Sequence, residues 1–148
     1  MNASFLILLV DDDPFIVDIL NRAARIEFPE ANFVHVPSFQ LAAQYLDGLR
    51  GRGPRLVLLD IDLHAEHTGL DFLVLMRQHP KGRLVPVVML STNNQPVNVS
   101  QAYDLGASVF TTKPFDYDDW KQYVRYLRSY WFETVQTPVL WFTEADSE

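Results

Sequence analysis

The stretch Leu56-Val57-Leu58-Leu59-Asp60-Ile61-Asp62 constrains the fold more than any other. Four apolar residues in a row, with no polar alternation, describe a strand buried on both faces. That is the condition of a parallel sheet covered by helices on either side. The run ends in acid, so Asp60 emerges at the carboxyl end of its strand, where open α/β sheets bind their ligands.

Other segments follow the same pattern. Phe5 to Val10 (FLILLV) runs into Asp11, Asp12 and Asp13, while Asn32 to Val36 is a shorter strand. Val85 to Leu90 ends in Ser91 and Thr92, and Ser108 to Thr112 leads to Lys113-Pro114. Helical spacing fills the gaps. One helix starts at Asp13-Pro14, a capping residue followed by a proline that loses no bond at the first helical position, and runs to about residue 27. A second follows Ser38 and carries Leu41, Ala42, Tyr45, Leu46 and Leu49, before Gly51, Gly53 and Pro54 break it. A third carries Leu70, Phe72, Leu73 and Met76 and stops at Pro80 and Gly82. A fourth spans about Val97 to Leu105, and a fifth, about Asp116 to Trp131, repeats Trp120, Tyr123, Val124, Leu127 and Trp131.

Five strands alternating with five helices predict a doubly wound α/β domain with right-handed crossovers. Beyond Trp131, residues 132–148 form a C-terminal extension. Its TPVLWF segment is expected to dock on the domain, and its acidic last five residues to be mobile.

With 148 residues the chain is sized for one core. No apolar run nears the roughly 20 residues that span a bilayer, and no basic leader opens the chain, so a cytoplasmic protein without membrane attachment is expected. Having no cysteine, it offers neither disulfide nor thiolate chemistry. A net charge of −7 without basic clusters argues against a nucleic-acid partner and favours oxygen-binding cations.

Four of the strands bring polar residues to one edge: Asp11 and Asp12, Asp60 and Asp62, Ser91 with Thr92 beside it, and Lys113. Carboxylates held together repel, and a hard divalent ion, Mg²⁺ above all, is the economical compensation. A lysine and a hydroxyl beside them suit phosphoryl transfer, in which a carboxylate can itself be the nucleophile. Blander readings apply elsewhere. Asp13 is a helix cap, the Asp62 side chain faces solvent, and His35 is an ordinary strand residue. His64 and His67, with Glu66 between them, lack the third convergent ligand and the supporting contacts of a zinc site. Tyr126 and Tyr130 flank the last helix's apolar stripe as a candidate partner or dimer contact.

The succession VDDDP, LLLDIDL, MLST and GASVFTTKPF resembles the receiver domain of two-component response regulators, from about residue 4 to residue 131. The resemblance implies a flavodoxin-like sheet in the order 2-1-3-4-5. It implies Asp60 as phosphoacceptor, Asp12 and Asp60 as Mg²⁺ ligands, Asp11 holding metal-bound water, and the Asp62 backbone carbonyl as a further ligand. Ser91 and Lys113 would contact the phosphoryl group, and Phe110 would be the aromatic switch. Three positions depart from the pattern. His64 stands where proline is usual, the span from Asp60 to Gly69 is one residue long, and Thr92 replaces a small alanine, which bears on phosphate lifetime and solvent access.

The resemblance also implies a stand-alone receiver phosphorylated by a sensor histidine kinase or a phosphotransfer protein. It would signal by partner binding, by onward phosphotransfer, or by dimerising through the extension or through the face of the fourth helix, fifth strand and fifth helix. The TPVLWF extension resembles those of small receivers that work with phytochrome-type and other sensor kinases. A Mg²⁺-dependent phosphatase of the haloacid dehalogenase type is the alternative, on the Asp-x-Asp of LLLDIDL. The acid pair that precedes it, and the lack of acids after the fourth strand, argue against that order. A receiver serving only as a phosphate sink fits the same residues.

Overall fold

The computed structural model describes residues 4–147. Strand β1 (Phe5–Val10) leads to helix α1 (Pro14–Glu27), β2 (Ala31–Val36) to α2 (Phe39–Gly48), and a short β3 (Gly51–Arg52) precedes β4 (Leu56–Leu59). Then come α3 (Gly69–Gln78), β5 (Val87–Ser91), α4 (Pro96–Asp104), β6 (Val109–Thr112) and α5 (Tyr117–Leu127). The main sheet is parallel in the order β2-β1-β4-β5-β6, which is 2-1-3-4-5 when only its own five strands are counted.

The unbroken apolar runs divide between two cores by strand alternation. Ile7, Leu9, Leu56, Leu58, Val88 and Leu90 face α1 and α5, packing on Ile19, Leu20, Trp120 and Val124. Leu8, Val10, Val57, Leu59, Val87 and Met89 face the opposite way, toward Leu46 of α2, Phe72, Leu73 and Met76 of α3, and Ala102 of α4. Helix starts follow their capping residues. Asp13 accepts from the Phe15 amide at 3.0 Å, Ser38 from Leu41 at 3.1 Å, and Thr68 with Asp71 closes a capping box on α3.

Two expectations about the C-terminus need correction. The last helix does not end near Trp131: α5 widens into a π-helical segment, Arg128–Thr134. Phe132 there packs on Phe5 and Phe28 with ring centroids 5.7 and 5.6 Å away, and Arg128 pairs with Glu30 at 2.9 Å. The acidic end is not free either. The docking segment behaves as expected: Phe142 is fully buried and β7 (Trp141–Phe142) pairs antiparallel with β3. Glu144–Ser147 then forms a 3₁₀ turn, in which Asp146 accepts from the Thr143 amide at 2.7 Å and lies 3.1 Å from the Lys81 ammonium. Local hydrogen bonding and an ion pair outweigh the polar composition of this stretch; Glu148 lies outside the described residues.

Candidate functional site

The carboxyl ends of the main strands are held in register by backbone bonds that continue just past them. Asp11 N donates to Val36 O at 3.3 Å, Asp60 N to Val10 O at 3.0 Å, and Lys113 N to Ser91 O at 3.2 Å. Each polar residue is thus set by the strand before it. Asp11 is 1% exposed and Asp60 5%, unusual for carboxylates unless they are paired.

The pairing comes from Lys113. Its ammonium lies 2.8 Å from Asp11 Oδ2 and 2.9 Å from Asp60 Oδ2. Burial opposes the charge on Lys113, but the two carboxylates together outweigh it and hold its pKa above the ordinary lysine value. Burial raises the Asp11 carboxyl despite the neighbouring ammonium. One positive charge thus faces three acids, because Asp11, Asp12 and Asp60 bring carboxylate oxygens within 4.8 Å of one another. Asp11 Oδ2 is buried and ion-paired to the Lys113 ammonium, while Asp11 Oδ1 accepts from the Asp13 amide at 2.9 Å. This all-oxygen, net-negative set fits a hard divalent cation.

A cavity of about 280 Å³ opens over the cluster, lined among others by Asp12, Asp60, Asp62, Thr92 and Lys113. Ser91, next to Thr92 in the chain, is fully buried, with Oγ accepting from the Asn93 amide at 3.1 Å. Asp62 is half-buried, and its carboxylate accepts from Asn93 Nδ2 at 3.4 Å, so it bridges two loops where a solvent-facing side chain was expected. Phe110 is set back from this edge: it packs partly buried on the core beneath α2, α3 and α4, and its amide donates to the Tyr103 hydroxyl at 3.1 Å.

Three contacts escape the sequence pattern. His35 is more than a strand filler, because its Nε2 lies 2.7 Å from the carbonyl oxygen of Asp11. His64 Nδ1 lies 2.7 Å from Asp12 Oδ2, and that hydrogen bond raises the imidazole pKa. His67 goes elsewhere, stacked on Phe39 at 4.4 Å and 3.4 Å from Asp71, so the two loop histidines do not converge. Gly69 is the third. A β-carbon there would lie 1.8 Å from the carbonyl oxygen of Asp60, so only glycine lets α3 start this close to the β4 end. The signal for Gly69 was its place after the polar loop; the histidine contacts join segments 24 and 52 residues apart and left no local trace.

Comparisons with known proteins agree with this layout. A family model described as the response regulator receiver domain matches residues 7–125. Response regulator Rcp1 of Synechocystis sp. (strain ATCC 27184 / PCC 6803 / Kazusa) is 33% identical over 85 residues, which is 57% of this chain and 57% of that protein. In that alignment the chain spans little more than half of the relative's length. The crystal structure of a phosphorylated cyanobacterial phytochrome response regulator, RcpA, superimposes with a TM-score of 0.80 at 25% identity, covering 92% of this chain and 99% of that one. A receiver domain from Rhodospirillum rubrum gives 0.78 at 31% identity, covering 90% and 96%.

Proposed function

Because the chain belongs to the response regulator receiver domain family, we propose that Asp60 accepts a phosphoryl group from a sensor histidine kinase or a phosphotransfer protein. The observation that carries this reading is the Lys113 ammonium held between Asp11 and Asp60 at the cavity. Asp60 lines that cavity and Asp11 does not, so Asp60 is the carboxylate an incoming phosphorus can reach. Its oxygen attacks phosphorus, the donor's bond to phosphorus breaks, and an aspartyl phosphate forms. Lys113 remains beside the transferred group and offsets its charge.

Asp11, Asp12 and Asp60 would hold Mg²⁺, with the backbone carbonyl of Asp62 as a further ligand. When bound, the ion supplies positive charge against the phosphoryl oxygens. A crystal structure of Rcp1, 26% identical with a TM-score of 0.79, is a Mn²⁺-bound form, which supports a divalent site of this kind. The Ser91 hydroxyl would bind a phosphoryl oxygen. Thr92 at the rim would limit solvent access, and Phe110 would carry the change to the α4, β6 and α5 surface. In this reading residues 4–131 are the phosphorylated unit and 132–148 its extension, in a cytoplasmic protein that signals by partner binding, dimerisation or phosphorelay. No helix among the described residues is long and apolar enough to cross a membrane.

Intact mass before and after acetyl phosphate, with and without Mg²⁺, tests the assignment on wild type and Asp60→Asn. One Mg²⁺-dependent adduct of about 80 Da, lost in the variant, is expected. An equal adduct in Asp60→Asn would reject Asp60. Steady release of inorganic phosphate without an adduct would favour a phosphatase instead.

A further inference from the structure

The loop between β4 and α3 carries His64 with φ at +53°, in the left-handed region that residues with a β-carbon seldom adopt. It is the one non-glycine residue with positive φ among the described residues. The imidazole lines the cavity beside Asp12, Asp60 and Thr92, with Nδ1 2.7 Å from Asp12 Oδ2. Among the described residues this is the only hydrogen bond recorded for the Asp12 side chain.

The imidazole is not one of the groups gathered for a cation. The potential ligand atoms within 4.8 Å of one another come from Asp11, Asp12 and Asp60, and no nitrogen of His64 belongs to that set. It donates an N–H to Asp12 Oδ2 instead. An oxygen that accepts this bond has less electron density to give a metal, and Mg²⁺ demands oxygen ligands in near-ideal octahedral geometry. We propose that His64 is a built-in competitor for the cation: its imidazole holds Asp12 in an ion-free arrangement and must swing away before a divalent ion is fully coordinated. The proposal rests on the reading that the acidic cluster binds such an ion.

Two consequences follow from the geometry. The apparent ion affinity is scaled by the fraction of molecules with His64 undocked, a reduction of about fivefold for a largely exposed contact. Ion loading also releases the 60–69 loop at His64, so the cation changes the outer surface of the site as well as its charge.

The test is Mn²⁺ binding to the full chain, followed by paramagnetic resonance of the free ion, with Mg²⁺ as competitor. Glycine accepts the left-handed backbone, so His64→Gly removes the imidazole with little change to the loop path, and His64→Ala checks that added loop freedom is not the cause. Both variants should bind one Mn²⁺ about fivefold more tightly than wild type, with Mg²⁺ displacing it at proportionally lower concentration. The gain should vanish in an Asp12→Asn background. Unchanged or weaker binding in the His64 variants, or a gain in only one of them, overturns the competitor while Asp12→Asn still abolishes binding and the ion site stands. Weaker binding would make the imidazole a ligand. If Asp12→Asn binds Mn²⁺ as wild type does, the ion-site reading fails and the competitor falls with it.

Discussion

Replacing Gly69 with alanine tests whether the close approach of α3 to β4 positions Asp60. The new β-carbon would start 1.8 Å from the Asp60 carbonyl oxygen and 2.8 Å from its carbonyl carbon. Reaching even the 3.0 Å below which β-carbon contacts essentially never occur requires a movement of at least about 1.2 Å. The obstacle is backbone, so no rotamer change relieves it. Overpacking costs about 1–3 kcal/mol, and a backbone clash belongs at the upper end. Alanine recovers about 0.4–1 kcal/mol by restricting the unfolded chain. The net loss is about 2 kcal/mol, or about 4–8 °C in Tm for a chain of this size. The displaced atoms belong to Asp60, so acetyl phosphate labelling should slow along with the loss of stability. Gly48→Ala is the control, since nothing lies within 4 Å of its new carbon and that variant should be neutral or slightly stabilised. Urea unfolding and timed intact-mass measurements read both effects. A Gly69→Ala protein within about 0.5 kcal/mol of wild type that is labelled at the wild-type rate would refute the reasoning.

Two further outcomes are expected. Phe142→Ala should cost about 3–5 kcal/mol in urea unfolding, because the ring is fully buried beside Gly53 and His79, yet it should leave the aspartyl phosphate adduct intact; a loss under about 1 kcal/mol would mean the extension contributes little to the fold. His79 should make stability pH-dependent. Burial lowers its pKa, and its Nδ1 accepts the Lys81 and Gly82 amides at 3.1 and 2.9 Å. A group depressed in this way contributes stability above its unfolded pKa near 6.5, and that contribution is lost as pH falls through the folded value. Wild type should therefore weaken more than His79→Asn between pH 7 and pH 5, since an asparagine oxygen can take the two amides without titrating; parallel pH profiles would exclude His79.

The fold was legible because its central strands lack alternation, and the chemistry because β1, β4 and β6 end in residues whose charge has no structural use alone. Asp11, Asp60 and Lys113 meet as the strand order requires. Less legible were features that depend on the meeting of distant segments. His35 and His64 are ordinary polar residues until the chain brings them to Asp11 and Asp12. The π-helical widening at Arg128–Thr134 accompanies the packing of Phe132 on Phe5 and Phe28, a long-range contact that helical periodicity does not encode. The order of Glu144–Ser147 depends on Lys81, more than sixty residues away.

The backbone bonds that run one residue past the strands make the site's geometry a matter of counting. Asp60 lies opposite Asp11 because Val10 pairs with Leu59, and alternation turns each successive side chain to the other face. Apolar substitutions within Phe5–Val10 or Leu56–Leu59 keep the count, and the two cores can repack around them. A single deletion shifts the later residues of that strand by one place and to the other face, turning Asp11 away from Lys113 when it falls in the first strand and Asp60 when it falls in the second. Relatives that keep the chemistry should therefore differ freely in the spelling of these strands, and confine changes of length to the loops, as the long span from Asp60 to Gly69 does.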